Sequence, residues 1–299
     1  MKREWMGLIV KREDGSEQVN YDDESFPSYI YEGWIKPNVT WEKVPHFHED
    51  LEFVTVTSGT MAYSVNGKLI TLNEGDTIFV NSNQIHYSVA TEGTASYVIF
   101  IVHPNVLNSS VAVELQALQP ILSNPNLSYL RFRYINEYTR NIRDIMLSLP
   151  SIRRDPFQIT KKLFDIWEII LEQSKHYGMF DENTETDQHN RSFKTMMYYI
   201  QQNYRESITL DDIAASGNIS KSLCNKIFHK YVGDSPINYL LNYRVRKVAE
   251  LLRSTTLSLS DIASDTGFNG ASYMSEMFKK SFNMSPRDYR KSMGNISPD

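Results

Sequence analysis

The sequence predicts a multi-domain chain: an all-β barrel with appended helices, followed by an all-α domain built from two helix-turn-helix units. Three observations carry this. Six short β-rich runs, separated by turn residues, crowd into Leu51 to Val102. A pattern near residue 210 recurs near residue 260. Formal charge also reverses along the chain: residues 191–299 hold 15 Lys+Arg against 10 Asp+Glu, whereas residues 1–190 hold 16 against 26.

Residues 1–27 are polar and weakly patterned. The opening apolar run is short and stops at Lys11-Arg12, which does not fit a signal peptide. Ser28-Tyr-Ile-Tyr-Glu-Gly-Trp-Ile35 alternates as a strand does. Further strands are expected at 51–57, 61–65, 68–72, 77–80, 86–90 and 96–102, with turns at Ser58-Gly59, Asn66-Gly67 and Glu74-Gly75-Asp76. Asn-Gly between short strands is a hairpin signal. Many short antiparallel strands point to a jelly roll or barrel, here about 28–103.

Within the barrel lies His46-Phe-His48-Glu-Asp-Leu-Glu52, followed by Gly59, Gly75-Asp76 and His86. Two histidines and a carboxylate at alternating positions of a strand point the same way, and a third histidine completes a donor set suited to Fe, Mn, Ni or Zn. Polar groups converging in an apolar barrel equally suit a polyhydroxy ligand. Trp34, Tyr63 and Tyr87 are candidate stacking walls, though each also fits an ordinary strand aromatic. The stretch resembles both motifs of the cupin barrel, and that resemblance implies that His46, His48, Glu52 and His86 converge inside it.

His103-Pro104 ends the barrel. Helices are expected over about 111–122, 128–149 and 157–177, the last with Leu163, Ile166, Trp167, Ile170 and Leu171 on one side. The first domain therefore runs over 1–180, with its helices at about 110–178. Residues 181–190 are acidic and lack apolar side chains, which fits a linker. A second domain follows at 191–299, opening with a packing helix that carries Phe193, Met196, Met197 and Ile200.

In this second domain Ile213-Ala214 and Ile262-Ala263 stand 49 residues apart, while Phe228 and Phe278, Pro236 and Pro286, and Tyr239 and Tyr289 are each 50 apart. Such a repeat marks a duplicated unit. Thr209 and Ser258 each precede an aspartate by three residues, the capping-box spacing of a helix start. Gly217 and Gly267 fall where the short helix must stop and the chain must turn. A second helix then buries Leu223, Ile227 and Phe228 in one unit and Met274, Met277 and Phe278 in the other. The units cover about 209–231 and 258–281, joined by a helix from Pro236 to Arg253. A helix, a glycine turn and a polar second helix make a DNA-reading unit, and two of them in successive major grooves stand roughly 34 Å apart.

The expected base readers are Ser222, Asn225 and Lys226, and Ser272, Tyr273 and Glu276. Lys221, Lys230, Lys279 and Lys280 suit phosphates, which position without specifying. The signature Ile262-Ala263, Gly267-Phe268, Ser272-Tyr273, Phe278-Lys279-Lys280, Ser285-Pro286, Tyr289-Arg290, with Arg244 and Leu251-Leu252 on the connector, resembles the AraC/XylS-type DNA-binding domain. Gly270, Met274 and Asn283 depart from it, at positions where the family usually has an aspartate, a phenylalanine and a glycine.

Cupin barrels joined to such a domain usually bind a small organic effector, often a sugar, and do not catalyse. The resemblance thus implies a ligand-responsive transcription regulator rather than an enzyme. Its expected effector-binding residues are His46, His48, Glu52, Tyr63 and His86. No cofactor is required. If the barrel takes a divalent metal, His46, His48, Glu52 and His86 are the set, and the alternative is then a metal-dependent sensor or a cupin enzyme fused to a DNA-binding domain. The expected partners are double-stranded DNA, the effector, RNA polymerase in the case of an activator, and a second copy of the chain. No apolar run is long enough to span a membrane, and the single cysteine, Cys224, fits the reducing cytoplasm.

Overall fold

The computed structural model describes residues 12, 15–37, 39, 42–135, 137–175 and 184–294. The main division between its two compact units falls between Asp187 and Gln188.

The first unit contains β1 (Ser28–Ile35), β2 (Leu51–Ser58), β3 (Thr60–Val65), β4 (Lys68–Asn73), β5 (Thr77–Val80), β6 (His86–Ala90), β7 (Ala95–Val102) and β8 (Tyr129–Phe132). They form two antiparallel sheets, ordered β1-β7-β2-β5-β8 and β4-β3-β6. The central strand β2 sets Glu52 opposite Val80 on one side and Ile101 on the other. Its first six residues are all buried, because both of its faces are covered. Phe53 packs tilted on Phe79 at 5.2 Å and stacked on Phe100 at 5.8 Å, in a core shared with the helices. Glu52, one residue along, points the other way, toward Tyr63 and His86 of the second sheet.

A 3-10 turn at Pro104–Leu107 ends the barrel where His103-Pro104 predicts. The expected helix over 111–122 forms as α1 (Val111–Val113), a π-helical turn (Glu114–Leu118) and α2 (Gln119–Leu122). The expected helix over 128–149 is corrected: its first part is strand β8, and α3 spans Glu137–Ile152. Leu130 and Phe132 alternate into the core while Arg131 points away to a 2.6 Å ion pair with Asp76, a period-two pattern that four residues set against β5. α4 spans Pro156–Ser174 and buries Leu163, Ile166, Trp167 and Ile170. Trp167 donates its indole N–H to the Ala117 carbonyl at 3.2 Å, which fastens α4 to the π-helical turn. That stripe is core.

α5 (Thr184–Asn203) runs across the division into the second unit, so residues 184–190 of the expected linker are helical; 181–183 lie outside the described residues. Acidic residues favour a first helical turn as well as a solvated linker, so composition does not separate the two. Phe193, Met196, Met197 and Ile200 are fully buried, and Phe193 packs on Phe228 and Tyr231.

Then come α6 (Leu210–Ser216), α7 (Lys221–Val232), α8 (Pro236–Ser254), α9 (Leu259–Asp265), α10 (Ala271–Phe282) and α11 (Pro286–Gly294). The repeat is visible in contacts. Phe228 meets Tyr239 edge-on at 5.5 Å, and Phe278 meets Tyr289 edge-on at 5.3 Å. Left-handed residues Gly233 and Asn283 end α7 and α10, so asparagine serves where glycine is usual. The turns differ: Gly267 is left-handed at φ 73°, whereas in the first unit Asn218 takes that role at φ 52° and Gly217 does not. Gly217 is small for another reason, since a Cβ there would meet Met196 Cγ at 2.8 Å. Leu223 and Met277 are only half-buried, unlike Ile227, Phe228, Met274 and Phe278. Arg244 on α8 donates to the carbonyls of Tyr204 and Glu206, each at 2.7 Å, which fastens the connector to the chain leaving α5.

Candidate functional site

The barrel cluster forms from four segments. His46 precedes β2 and pairs backbone-to-backbone with His86 at the start of β6. His48 also precedes the strand, and a bend at Glu49-Asp50 separates it from β2, so the expected alternation along one strand does not hold. Glu52 comes from β2 and Tyr63 from β3. The donor atoms of His46, His48, Glu52 and His86 lie within 4.8 Å of one another, and three of these residues are buried.

Backbone carbonyls fix the orientation of all three imidazoles. His46 Nδ1 lies 2.9 Å from the Val44 carbonyl, His48 Nδ1 lies 3.1 Å from that of Asp50, and His86 Nδ1 lies 2.8 Å from that of Gln84. A carbonyl only accepts, so each Nδ1 carries a proton and each Nε2 is turned into the site. There the Nε2 atoms face carboxylates, and His48 Nε2 is hydrogen-bonded to Glu52. Glu52 Oε2 is 3.4 Å from His48 Nε2 and 3.3 Å from His86 Nε2. Buried His86 Nε2 makes no hydrogen bond among the described residues. The Tyr63 hydroxyl donates to the other oxygen, Oε1, which directs Oε2 inward.

Electrostatics follow this geometry. Burial, reinforced by His86, holds His46 well below the usual imidazole range. Burial also depresses His48, but the adjoining Glu52 outweighs it and raises that ring. Burial would raise the Glu52 carboxyl, yet His86 and His48 together hold it well below the ordinary range. Burial and the Glu52 charge push the Tyr63 phenol well above its usual value.

Tyr63 and Tyr87 are buried, and Tyr63 lies nearly parallel to His86 at 6.1 Å, but its hydroxyl serves Glu52. Trp34 is 40% exposed and is not an interior wall. Sequence reasoning missed Glu17, whose Oε2 is 3.5 Å from His46 Nε2. It stands 29 residues before the motif in an unpatterned segment and leaves no periodic signal.

In the second unit, α7 exposes Lys221, Ser222, Lys226 and Lys230, with Asn225 half-buried. Asn225 donates its side-chain amide to the Lys221 carbonyl at 3.1 Å, and Lys221 pairs with Asp211 at 2.8 Å. α10 exposes Ser272, Tyr273, Glu276, Lys279 and Lys280. The expected readers and phosphate contacts thus share one helix surface in each unit. Thr209 and Asp212 form a full capping box on α6, while Ser258 accepts from the Asp261 amide on α9. α10 begins at Gly270 with φ 130° and no side-chain cap, the conformation that accompanies the missing aspartate.

The barrel motifs and the paired helix-turn-helix units define a DNA-binding transcription regulator with a cupin domain. A Helix-turn-helix domain model matches residues 213–292, and a Cupin domain model matches residues 35–102. The chain is 28% identical over 271 residues to the uncharacterized HTH-type transcriptional regulator YdeC of Bacillus subtilis (strain 168), covering 89% of this chain and 92% of that protein. It is 23% identical over 260 residues to the HTH-type transcriptional activator RhaS of Klebsiella pneumoniae (strain 342), covering 86% and 91%. Among solved structures, unsaturated fatty acid bound wild-type ToxT from Vibrio cholerae strain SCE256 aligns over 94% of this chain and 100% of its own, at 12% identity and TM-score 0.44. No helix among the described residues is long and apolar enough to cross a membrane.

Proposed function

We propose that this regulator responds to a ligand in its barrel and reads two adjacent major grooves with α7 and α10, and that the barrel ligand is a divalent transition metal at His46, His48, Glu52 and His86. The three imidazoles carry the metal reading. Each has its Nδ1 on a carbonyl and its Nε2 toward a carboxylate. Without a cation, satisfying every Nε2 requires three imidazoliums whose ring centroids lie 4.3–6.0 Å apart in a buried site, where like charges repel. One divalent ion replaces all three protons. Ligand atoms about 2.1 Å from a common ion stand about 3.0 Å apart in octahedral and about 3.4 Å apart in tetrahedral geometry. The 3.3 and 3.4 Å separations here are of that size.

The sequence favours a polar organic effector hydrogen-bonded by the same residues and Tyr63, and that reading remains the second one. Metal content of the purified protein separates the two. Stoichiometric metal, lost on chelation together with thermal stability, supports the metal site. A metal-free protein stabilised by a sugar supports the organic effector. The regulator role gives the chain no catalytic residues, and a turnover assay on the metal-loaded protein tests that. A population shift between DNA-competent and other states would follow from differential affinity of the ligand for those states.

For the DNA function, selection of bound duplexes from a random pool is expected to enrich two half-sites roughly 10 base pairs apart. Enrichment of no sequence defeats the reading. Exposed Leu147, Phe157 and Phe164 on α3 and α4 favour a homodimer through these helices, which sedimentation tests. A DNA partner fits a cytoplasmic protein, and RNA polymerase joins the partners if the regulator activates.

A further inference from the structure

We infer that Glu17 is a second carboxylate of the metal site, a fifth ligand beyond the four motif residues; the inference rests on the metal reading above. The Glu17 backbone amide donates to the Phe47 carbonyl at 2.8 Å, between the two motif histidines. This anchor brings the side chain, 5% exposed, to the His46 corner, where Oε2 lies 3.5 Å from His46 Nε2. That matches the 3.4 Å from His48 Nε2 to Glu52 Oε2, a spacing of ligand atoms around one ion.

Charge balance gives the physical reason. Three neutral imidazoles, Glu52 and a divalent ion leave one net positive charge in a buried site, and an uncompensated buried charge is costly. Two buried carboxylates lie close enough to offset it: Asp50, whose Oδ2 is 3.7 Å from His48 Nδ1 on the side away from the ion, and Glu17, which faces an Nε2. The resulting set of three nitrogens and two carboxylate oxygens suits a divalent first-row ion such as Mn, Fe, Co, Ni or Zn. Neighbouring contacts hold the segment in place: the Tyr21 hydroxyl donates to Asp50 at 2.7 Å and Arg12 pairs with Glu49 at 2.6 Å. Glu17 therefore meets the motif as part of a fastened strap.

The test uses cobalt(II) and the full-length chain. Affinity is read by competition with a chelator, and coordination by the visible absorption of the bound ion. Glu17→Gln keeps the volume and removes the charge; it is expected to weaken cobalt binding by roughly tenfold to a hundredfold and to alter the visible bands. Glu17→Asp, which keeps the charge but withdraws the oxygen, is expected to alter the bands while the metal-free melting temperature stays near wild type. Glu168→Gln, on the exposed face of α4, is expected to change neither. Wild-type affinity with unchanged bands in both Glu17 variants overturns the inference and leaves the four-residue site standing. Failure of the wild-type chain to take cobalt overturns both.

Discussion

His86 Nε2 lies 3.3 Å from Glu52 Oε2, and both side chains are 1% exposed. A lone pair facing a carboxylate in so dry a place calls for a positive charge between them. His86→Ala and Glu52→Gln are each expected to abolish stoichiometric metal binding. In the wild type, metal at a hundredfold excess over its dissociation constant adds about 2.7 kcal/mol of stability, which calorimetry reads directly. An identical melting temperature with and without chelator counts against the site.

Metal uptake carries a proton signature. His46 is held well below the usual imidazole range by burial, whereas Glu52 raises His48, so His48 keeps its proton to higher pH than His46 does. Protons therefore compete with metal at His48, and affinity is expected to rise with pH through neutrality. Titration calorimetry in buffers of different ionisation enthalpy measures the proton released. A pH-independent affinity with no release would mean that His48 is not a ligand.

Two glycines separate backbone strain from steric clash. Gly233 (φ 70°) has open space where a Cβ would stand, while at Gly267 (φ 73°) a Cβ would meet the carbonyl oxygens of Tyr204 at 2.5 Å and Arg205 at 2.8 Å. Gly233→Ala is expected to cost only the left-handed penalty, about 1–2 kcal/mol. Gly267→Ala is expected to cost clearly more, because backbone must move. Equal losses in chemical denaturation would show that the α9–α10 turn yields easily.

The α6 cap has a pH dependence of defined sign. The Thr209 hydroxyl and amide hold the Asp212 carboxyl below its usual value. A depressed carboxyl contributes stability above its unfolded pKa and loses it as pH falls through the depressed folded value. Thr209→Ala is expected to cost about 1 kcal/mol at neutral pH. It should also flatten the acid limb of the stability profile. An acid limb identical to wild type would show that the box contributes nothing there.

On DNA, Asn225→Ala is expected to cost about 1–3 kcal/mol on the selected site. Its amide must first leave the Lys221 carbonyl, which keeps the helix intact when Asn225 turns outward. Lys279→Ala should weaken every sequence and flatten the salt dependence. Fluorescence anisotropy against salt tests both. Equal loss on cognate and random duplexes for Asn225→Ala would make it a phosphate contact.

What the sequence discloses follows from how local each signal is. The duplicated helices are legible because caps, the glycine turn at Gly267 and a repeated apolar stripe all lie within a few residues of one another. The strands 51–102 are legible from alternation and turns. β8 is missed because its alternation runs over only four residues, too short a run to stand out beside the helix that follows, and only pairing with β5 decides. The histidine cluster is legible from its motif spacing, but the carbonyls that orient the rings belong to Val44, Asp50 and Gln84, whose side chains say nothing about it. Glu17 is invisible for the same reason: its position depends on a hydrogen bond to the Phe47 backbone.

Cys224, the sole cysteine of the chain, sits fully buried on α7, and burial pushes its thiol up to about 11. A thiol so placed reacts only while its surroundings are open. The core around α7 thus carries its own stopwatch: the rate at which an alkylating reagent marks the protein counts the openings that uncover Cys224. Bound DNA that clamps α7 would slow the clock, so the grip of one unit can be timed separately from the other without adding a label.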